Sequence, residues 1–217
     1  MQGAGPVSGY HLVIGDKRHS SWSLRPWLLL TEFGLPFRET EVALDRDTTA
    51  AAIRRHSPSG RVPVLYDGGF AVWDSLAILE YLAEQHPEHR VWPAPPLARA
   101  RARSLAAEMH AGFASLRAEL PFIAGERRPG LSFSAEAAAE VARLKAIVAD
   151  SRGRFGGAGG FLFGPFGAVD AMFAPVMCRF ASYGIPVDGP VEAYMRGVLE
   201  LPGLQAWNRA AAAGAAT

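Results

Sequence analysis

Cysteine is almost missing from this chain: Cys178 is the single one among 217 residues. No intramolecular disulfide can form, so a disulfide-stapled fold is excluded. The same scarcity suits a reducing compartment, and a cytoplasmic location is the expectation. Long apolar runs are missing too. No stretch reaches the ~18 residues that a membrane-spanning helix needs, so no membrane partner is expected. Charge of one sign is not in surplus. The 22 Lys and Arg face 21 Asp and Glu, a formal net charge of +1. Nucleic-acid binding usually leaves a clustered basic footprint. Arg99, Arg101 and Arg103 form a short basic run, but Glu108 and Glu119 follow on the same segment, as on a solvated helix face. Residues 1–8 are rich in Gly, Ala and Pro and lack the basic-then-apolar order of a secretory signal. They read as a loose tail.

What is present divides into two regimes. Before about residue 87, short strand-like runs alternate with helices; after about residue 97, alanine-rich helical patterns dominate. Between them, Pro87, Pro93, Pro95 and Pro96 forbid a continuous helix or a central strand. The expected organisation is an α/β domain over 1–87, a linker over 88–97 and an all-helical domain over 98–217.

In the first domain the spacing predicts strands over 10–14, 37–44, 62–66 and 70–73, with helices over 23–33, 48–56 and 75–85. The order βαβαββα makes a small mixed sheet with helices on it, the outline of a thioredoxin-like domain. In the second, Leu105, Met109, Phe113, Leu116 and Leu120 recur at helical spacing and read as one helix. Ser134 is a good N-cap for a second helix, and further helices are expected over 170–182, over 191–199 and around Leu204 and Trp207. Five helices of this kind form an α-helical bundle. The glycines over 156–160 are not followed by Lys-Ser/Thr, so they read as an interhelix loop, not a phosphate loop.

Three motifs of the first domain carry chemistry. Ser20-Ser21-Trp22-Ser23-Leu24-Arg25-Pro26 places hydroxyls where a helix begins. Unpaired N–H groups and a partial positive charge favour an anion there, although the same serines also suit a simple cap. Arg61-Val62-Pro63-Val64-Leu65 sends a proline into a strand, which a cis Val62–Pro63 bond accommodates. Asp74-Ser75 opens a helix and makes a capped, anion-friendly end.

In this order and spacing the three motifs resemble the glutathione S-transferase superfamily over nearly the whole chain. The resemblance implies a glutathione-binding N-terminal domain. Val62 and Pro63 would hold the cysteinyl backbone, and Asp74 and Ser75 the γ-glutamyl end. The serine pair resembles the zeta-type motif, with Ser20 in the place of the thiol-activating serine and Ser21 beside it. Trp22 stands where that motif has cysteine. Asp170, three residues after Gly167, resembles the buried cap motif of the family's helical domain and reads as structural. The implied function is a serine-type glutathione transferase in which glutathione is co-substrate and no metal is used. Trp22, Met109 and Phe113 are candidates for the pocket of a small hydrophobic electrophile. Two alternatives remain. One is cis–trans isomerisation of maleylacetoacetate-type diacids, with Arg179 as candidate for the diacid. The other is a non-catalytic glutathione-binding or dimerisation scaffold. The resemblance also implies a homodimer.

Overall fold

The computed structural model describes residues 9–214. The expected tail over 1–8 lies outside them. The first half runs β1 (Tyr10–Gly15), α1 (Ser21–Glu32), β2 (Phe37–Val42), α2 (Thr49–Arg54), β3 (Val64–Asp67), β4 (Phe70–Trp73) and α3 (Ser75–Gln85). The strands form one sheet in the order β2-β1-β3-β4. β1 and β2 are parallel, and β3 is antiparallel to both β1 and β4. Strand side chains alternate between faces, and the core divides accordingly. Leu12 and Ile14 join the large core that α1 and α3 cover, whereas Val13 packs with Val42, Ile53 and Val64 on the α2 side.

A 3₁₀ turn, Pro87–His89, leads to α4 (Pro96–Ala111), α5 (Ala114–Glu119), α6 (Ala135–Phe155), α7 (Ala168–Tyr183), α8 (Gly189–Leu199) and α9 (Pro202–Gly214). The helical half therefore has one helix more than its periodicity suggested. The run Leu105, Met109, Phe113, Leu116 and Leu120 is buried throughout, yet it is broken between α4 and α5. Phe113 adopts a left-handed conformation, φ 63°. The last turn of α4 leaves carbonyls unpaired. Arg117 answers them from α5, its Nε donating to Gly112 O at 3.1 Å and its Nη2 donating to Met109 O. Apolar spacing records burial here, not continuity of the helix.

α7 is buried almost from end to end and packs against α1, α4 and α8. It ties the two halves into one core. Its N-terminus explains an oddity of the sequence. The carboxylate of Asp170 accepts from Gly167 N at 3.0 Å, Leu162 N at 3.1 Å and Tyr194 OH at 3.1 Å. Gly167 occupies the cap position, where serine or threonine is favoured. A Cβ there would lie 2.7 Å from Val91 O, so the approach of the interdomain stretch requires glycine. At the far side, Trp207 of α9 is fully buried against Trp27 of α1, ring centroids 5.2 Å apart, and its Nε1 donates to Lys17 O at 2.7 Å. Removing such a ring costs about 3–5 kcal/mol.

Candidate active site

The first turn of α1 is organised by Ser20. Its Oγ accepts from Ser23 N at 3.3 Å and donates to Ser23 Oγ at 2.7 Å. Ser23 Oγ in turn accepts from Gly15 N at 3.0 Å, locking the end of β1 to the helix start. Ser20 is thus the N-cap of α1, with its hydroxyl proton turned inward. Ser21 is also buried, and its N–H bonds to His19 O at 3.0 Å. At the next position, Trp22, the helix geometry leaves a backbone N–H with no intrahelical acceptor.

The Val62–Pro63 bond is cis. Pairing of β3 begins at Val64, opposite Val13 and Trp73, so the backbone groups of Val62 lie outside the ladder. Asp74 is the N-cap of α3 at φ 75°. Its Oδ1 accepts from Leu76 N at 2.9 Å, and its Oδ2 contacts His110 Nε2 at 2.7 Å. That second contact joins the α/β half to α4. Ser75 is 1% exposed, and its Oγ accepts from Arg25 Nη1 at 3.3 Å.

These pieces surround one cleft of about 520 Å³, lined by Trp22, Ser59, Arg61, Val62, Pro63, Trp73, Asp74, Ser75 and His110. The size suits a small-molecule ligand. Its polar edge offers donors in Ser59, Arg61 and the start of α3, and an acceptor in Asp74. Trp22 forms the wall toward the helical half, its ring set edge-on to His110 at 5.3 Å.

The expected site residues therefore divide. Val62, Pro63, Asp74, Ser75 and Trp22 line the cleft. Ser20 and Ser21 stand immediately before Trp22 and are buried behind the wall. Met109 is fully buried and Phe113 is 6% exposed; both pack in the core and neither lines the cleft. Ser59, Arg61 and Trp73 were not singled out from the sequence. They flank the Val62–Pro63 and Asp74–Ser75 motifs by one to three residues, and that adjacency was the available signal.

Arg25 also escaped notice. It is fully buried in α1 beneath Trp22, with its guanidinium carbon 4.1 Å from the ring centroid. Burial, then the charges of Arg117 and Arg179, push its pKa well below the ordinary guanidinium value, with Asp74 opposing. Away from the cleft, His86, Glu88 and His89 bring potential metal-ligand atoms within 4.8 Å of one another. His86 already contacts Tyr10 OH at 2.9 Å through Nε2 and Glu88 at 3.3 Å through Nδ1.

Comparison with known proteins agrees with this architecture. Residues 19–85 match the family model for the glutathione S-transferase N-terminal domain. A stringent starvation protein A homolog from Pasteurella multocida is 27% identical over 177 residues, covering 80% of this chain and 78% of that protein. The maleylacetoacetate isomerase of Pseudomonas aeruginosa is 38% identical over 92 residues, 41% of this chain and 43% of that enzyme. Among solved structures, a glutathione transferase homolog from Burkholderia gl BGR1 with bound glutathione superposes with a TM-score of 0.72 at 24% identity, covering 94% of this chain and 99% of that one. That likeness establishes the fold: a thioredoxin-like sheet domain followed by a helical region. Residues 19–85 thus match a glutathione S-transferase N-terminal domain, and in sequence the chain is similar to members of that superfamily, zeta-class proteins among them.

Proposed function

We propose that the chain is a glutathione transferase that binds glutathione in the cleft and uses its sulfur as a thiolate to attack a small electrophile. The observation that carries this reading is convergence. The start of α3, the cis Val62–Pro63 segment and the start of α1 meet around one ligand-sized cleft.

The roles follow from chemistry. Glutathione is an anionic tripeptide with an ammonium at its γ-glutamyl end. Asp74 offers a carboxylate to that ammonium, while Ser75 and the free N–H groups of α3 suit the adjoining carboxylate. The Val62 backbone, unspent in the sheet, pairs with the cysteinyl amide. The sulfur then lies toward the start of α1. A thiol has a pKa near ~8.5 and is mostly protonated at neutral pH. Lowering that pKa by about two units requires about 2.7 kcal/mol of preferential stabilisation of the anion. The dipole of α1 and a hydroxyl donor together supply that order. Ser20 can keep accepting from Ser23 N while its proton turns from Ser23 Oγ to the sulfur, since a hydroxyl both donates and accepts. Ser21 is the neighbouring donor. In this reading the transferase is cytoplasmic and works as a homodimer.

The isomerase reading has less support. Arg179, the residue it needs for a diacid, spends Nε on Leu120 O at 2.8 Å and Nη1 on Pro175 O at 3.3 Å. A glutathione-binding scaffold remains a separate reading, because the Pasteurella relative aligned over most of the chain is not named for an enzymatic activity. Two measurements decide. Titration calorimetry with glutathione reads binding, and the thiolate ultraviolet band of bound glutathione followed against pH reads activation. Binding with a lowered thiol pKa and turnover of an aryl halide is expected. Binding without turnover on any electrophile favours the scaffold, and absence of binding removes the proposal.

A further inference from the structure

Arg25 and Arg179 are buried and Arg117 is half-buried where the halves meet, and among the described residues none of the three has a carboxylate within 4.0 Å, although six other arginines do. Burying a cation without a counter-charge is costly. The three share the burden unequally. Arg179 is satisfied by two main-chain carbonyls. Arg117 spends Nε and Nη2 on the end of α4 but leaves Nη1 buried and unpartnered. Arg25, fully buried, spends only Nη1, on Ser75; its Nε and Nη2 have no partner.

Those two nitrogens are not an arbitrary pair. The N–H bonds of Nε and Nη2 lie along one edge of a guanidinium, the edge that receives a carboxylate through two parallel hydrogen bonds. The Trp22 ring lies over both cations, 4.1 Å from the Arg25 guanidinium carbon and 4.9 Å from that of Arg117. The same side chain lines the cleft. Trp22 therefore touches both the cleft and the two cations. A stacked ring lessens the cost of a buried cation, but it gives no hydrogen bond to an in-plane N–H.

We infer that the free edge of Arg25 and Nη1 of Arg117 form an anion-binding site for one planar carboxylate group, entered from the cleft by displacement of Trp22. The carboxylate has two sources: a small free acid anion, or a ligand already seated in the cleft. The site does not depend on the thiol chemistry proposed above, since it needs neither Ser20 nor Ser21.

Sodium formate is the probe, titrated into full-length protein at constant ionic strength against sodium chloride, with thermal midpoint and tryptophan fluorescence as readouts. A saturable, formate-dependent rise in midpoint with a matching fluorescence change is expected. Arg25→Lys keeps the charge but loses the two-nitrogen edge, so it should weaken formate at least tenfold. Arg117→Met should weaken it as well, and Trp22→Phe should remove most of the fluorescence change while keeping the midpoint response. Repeating the titration with S-methylglutathione present separates the sources. Competition assigns the carboxylate to the tripeptide, and additive stabilisation assigns it to a separate anion. A response no greater than that of chloride, or one that Arg25→Lys and Arg117→Met leave unchanged in folded protein, overturns the inference. Failure of glutathione to bind would leave the formate titration intact, so the two readings fail separately.

Discussion

Replacing Ser20 with alanine separates two roles that meet in one hydroxyl. The structural role is visible: Ser20 caps α1 through Ser23 N and donates to Ser23 Oγ. Ser23 retains its bond from Gly15 N, so the link from β1 to α1 survives. Loss of an N-cap costs about 0.5–2 kcal/mol. For a chain of this size the melting midpoint moves about 2–4 °C per kcal/mol, so a fall of roughly 1–8 °C is expected, with the fold kept. The catalytic role has a different signature. If the hydroxyl accounts for about two pKa units of thiol activation, from ~8.5 down to ~6.5, its loss cuts the thiolate fraction about 25-fold at pH 7. The more basic thiolate that remains is the better nucleophile, and a Brønsted slope of ~0.4–0.5 restores about tenfold of that loss. A deficit of about threefold is left at pH 7, and it should close and then reverse in favour of the variant as pH rises past the variant's thiol pKa. The assay is kcat/KM with an aryl halide across pH, beside a thermal melt. A rate ratio between wild type and Ser20→Ala that stays constant at every pH would refute the activating role and leave Ser20 as a cap alone.

Asp170→Ala strands Leu162 N, Gly167 N and Tyr194 OH in the core and should cost about 3 kcal/mol or more, read by chemical denaturation. Burial pushes the Asp170 carboxyl up to about 7 against those three donors. The folded state therefore holds this proton more tightly than the unfolded state does. Its contribution is fully present below pH ~4 and is lost as pH rises toward 7. The wild-type minus Asp170→Asn stability difference should fall over that interval; a flat difference contradicts the assignment. Cys178 is buried, and its thiol is pushed up to about 12. Iodoacetamide should label it only after denaturation, and stoichiometric labelling of native protein would contradict its placement. Gly203→Ala sets a Cβ 2.6 Å from Glu32 Oε1 and 3.1 Å from both Leu28 Cδ1 and Thr31 Cγ2. Overpacking of about 1–3 kcal/mol outweighs the helix-propensity gain of about 1 kcal/mol, so a lower midpoint is expected.

Local signals in the sequence located most of the fold. Turn residues and period-two runs placed all four strands, and β4 and α3 match their expected bounds to the residue. β3 starts two residues later than expected, because Val62 and Pro63 line the cleft outside the ladder. The α4–α5 break is hidden by apolar spacing that continues across it, and the side chain that satisfies the freed carbonyls of Met109 and Gly112, Arg117, reaches back from the next helix. Glycine at 167, where a capping serine is favoured, is a steric requirement that only the nearby Val91 carbonyl reveals. The cleft's motif residues were legible since each motif is contiguous. The arginine cluster was not, since Arg25, Arg117 and Arg179 meet only through the packing of α1, α5 and α7.

The most direct test of the central claim is a crystal structure of the protein with glutathione bound. The γ-glutamyl group should lie on Asp74 and Ser75, the cysteinyl amide on Val62, and the sulfur within hydrogen-bonding reach of Ser20 or Ser21 at the start of α1. A sulfur directed away from that helix start, or a cleft that stays free of glutathione at saturating concentration, would contradict the account.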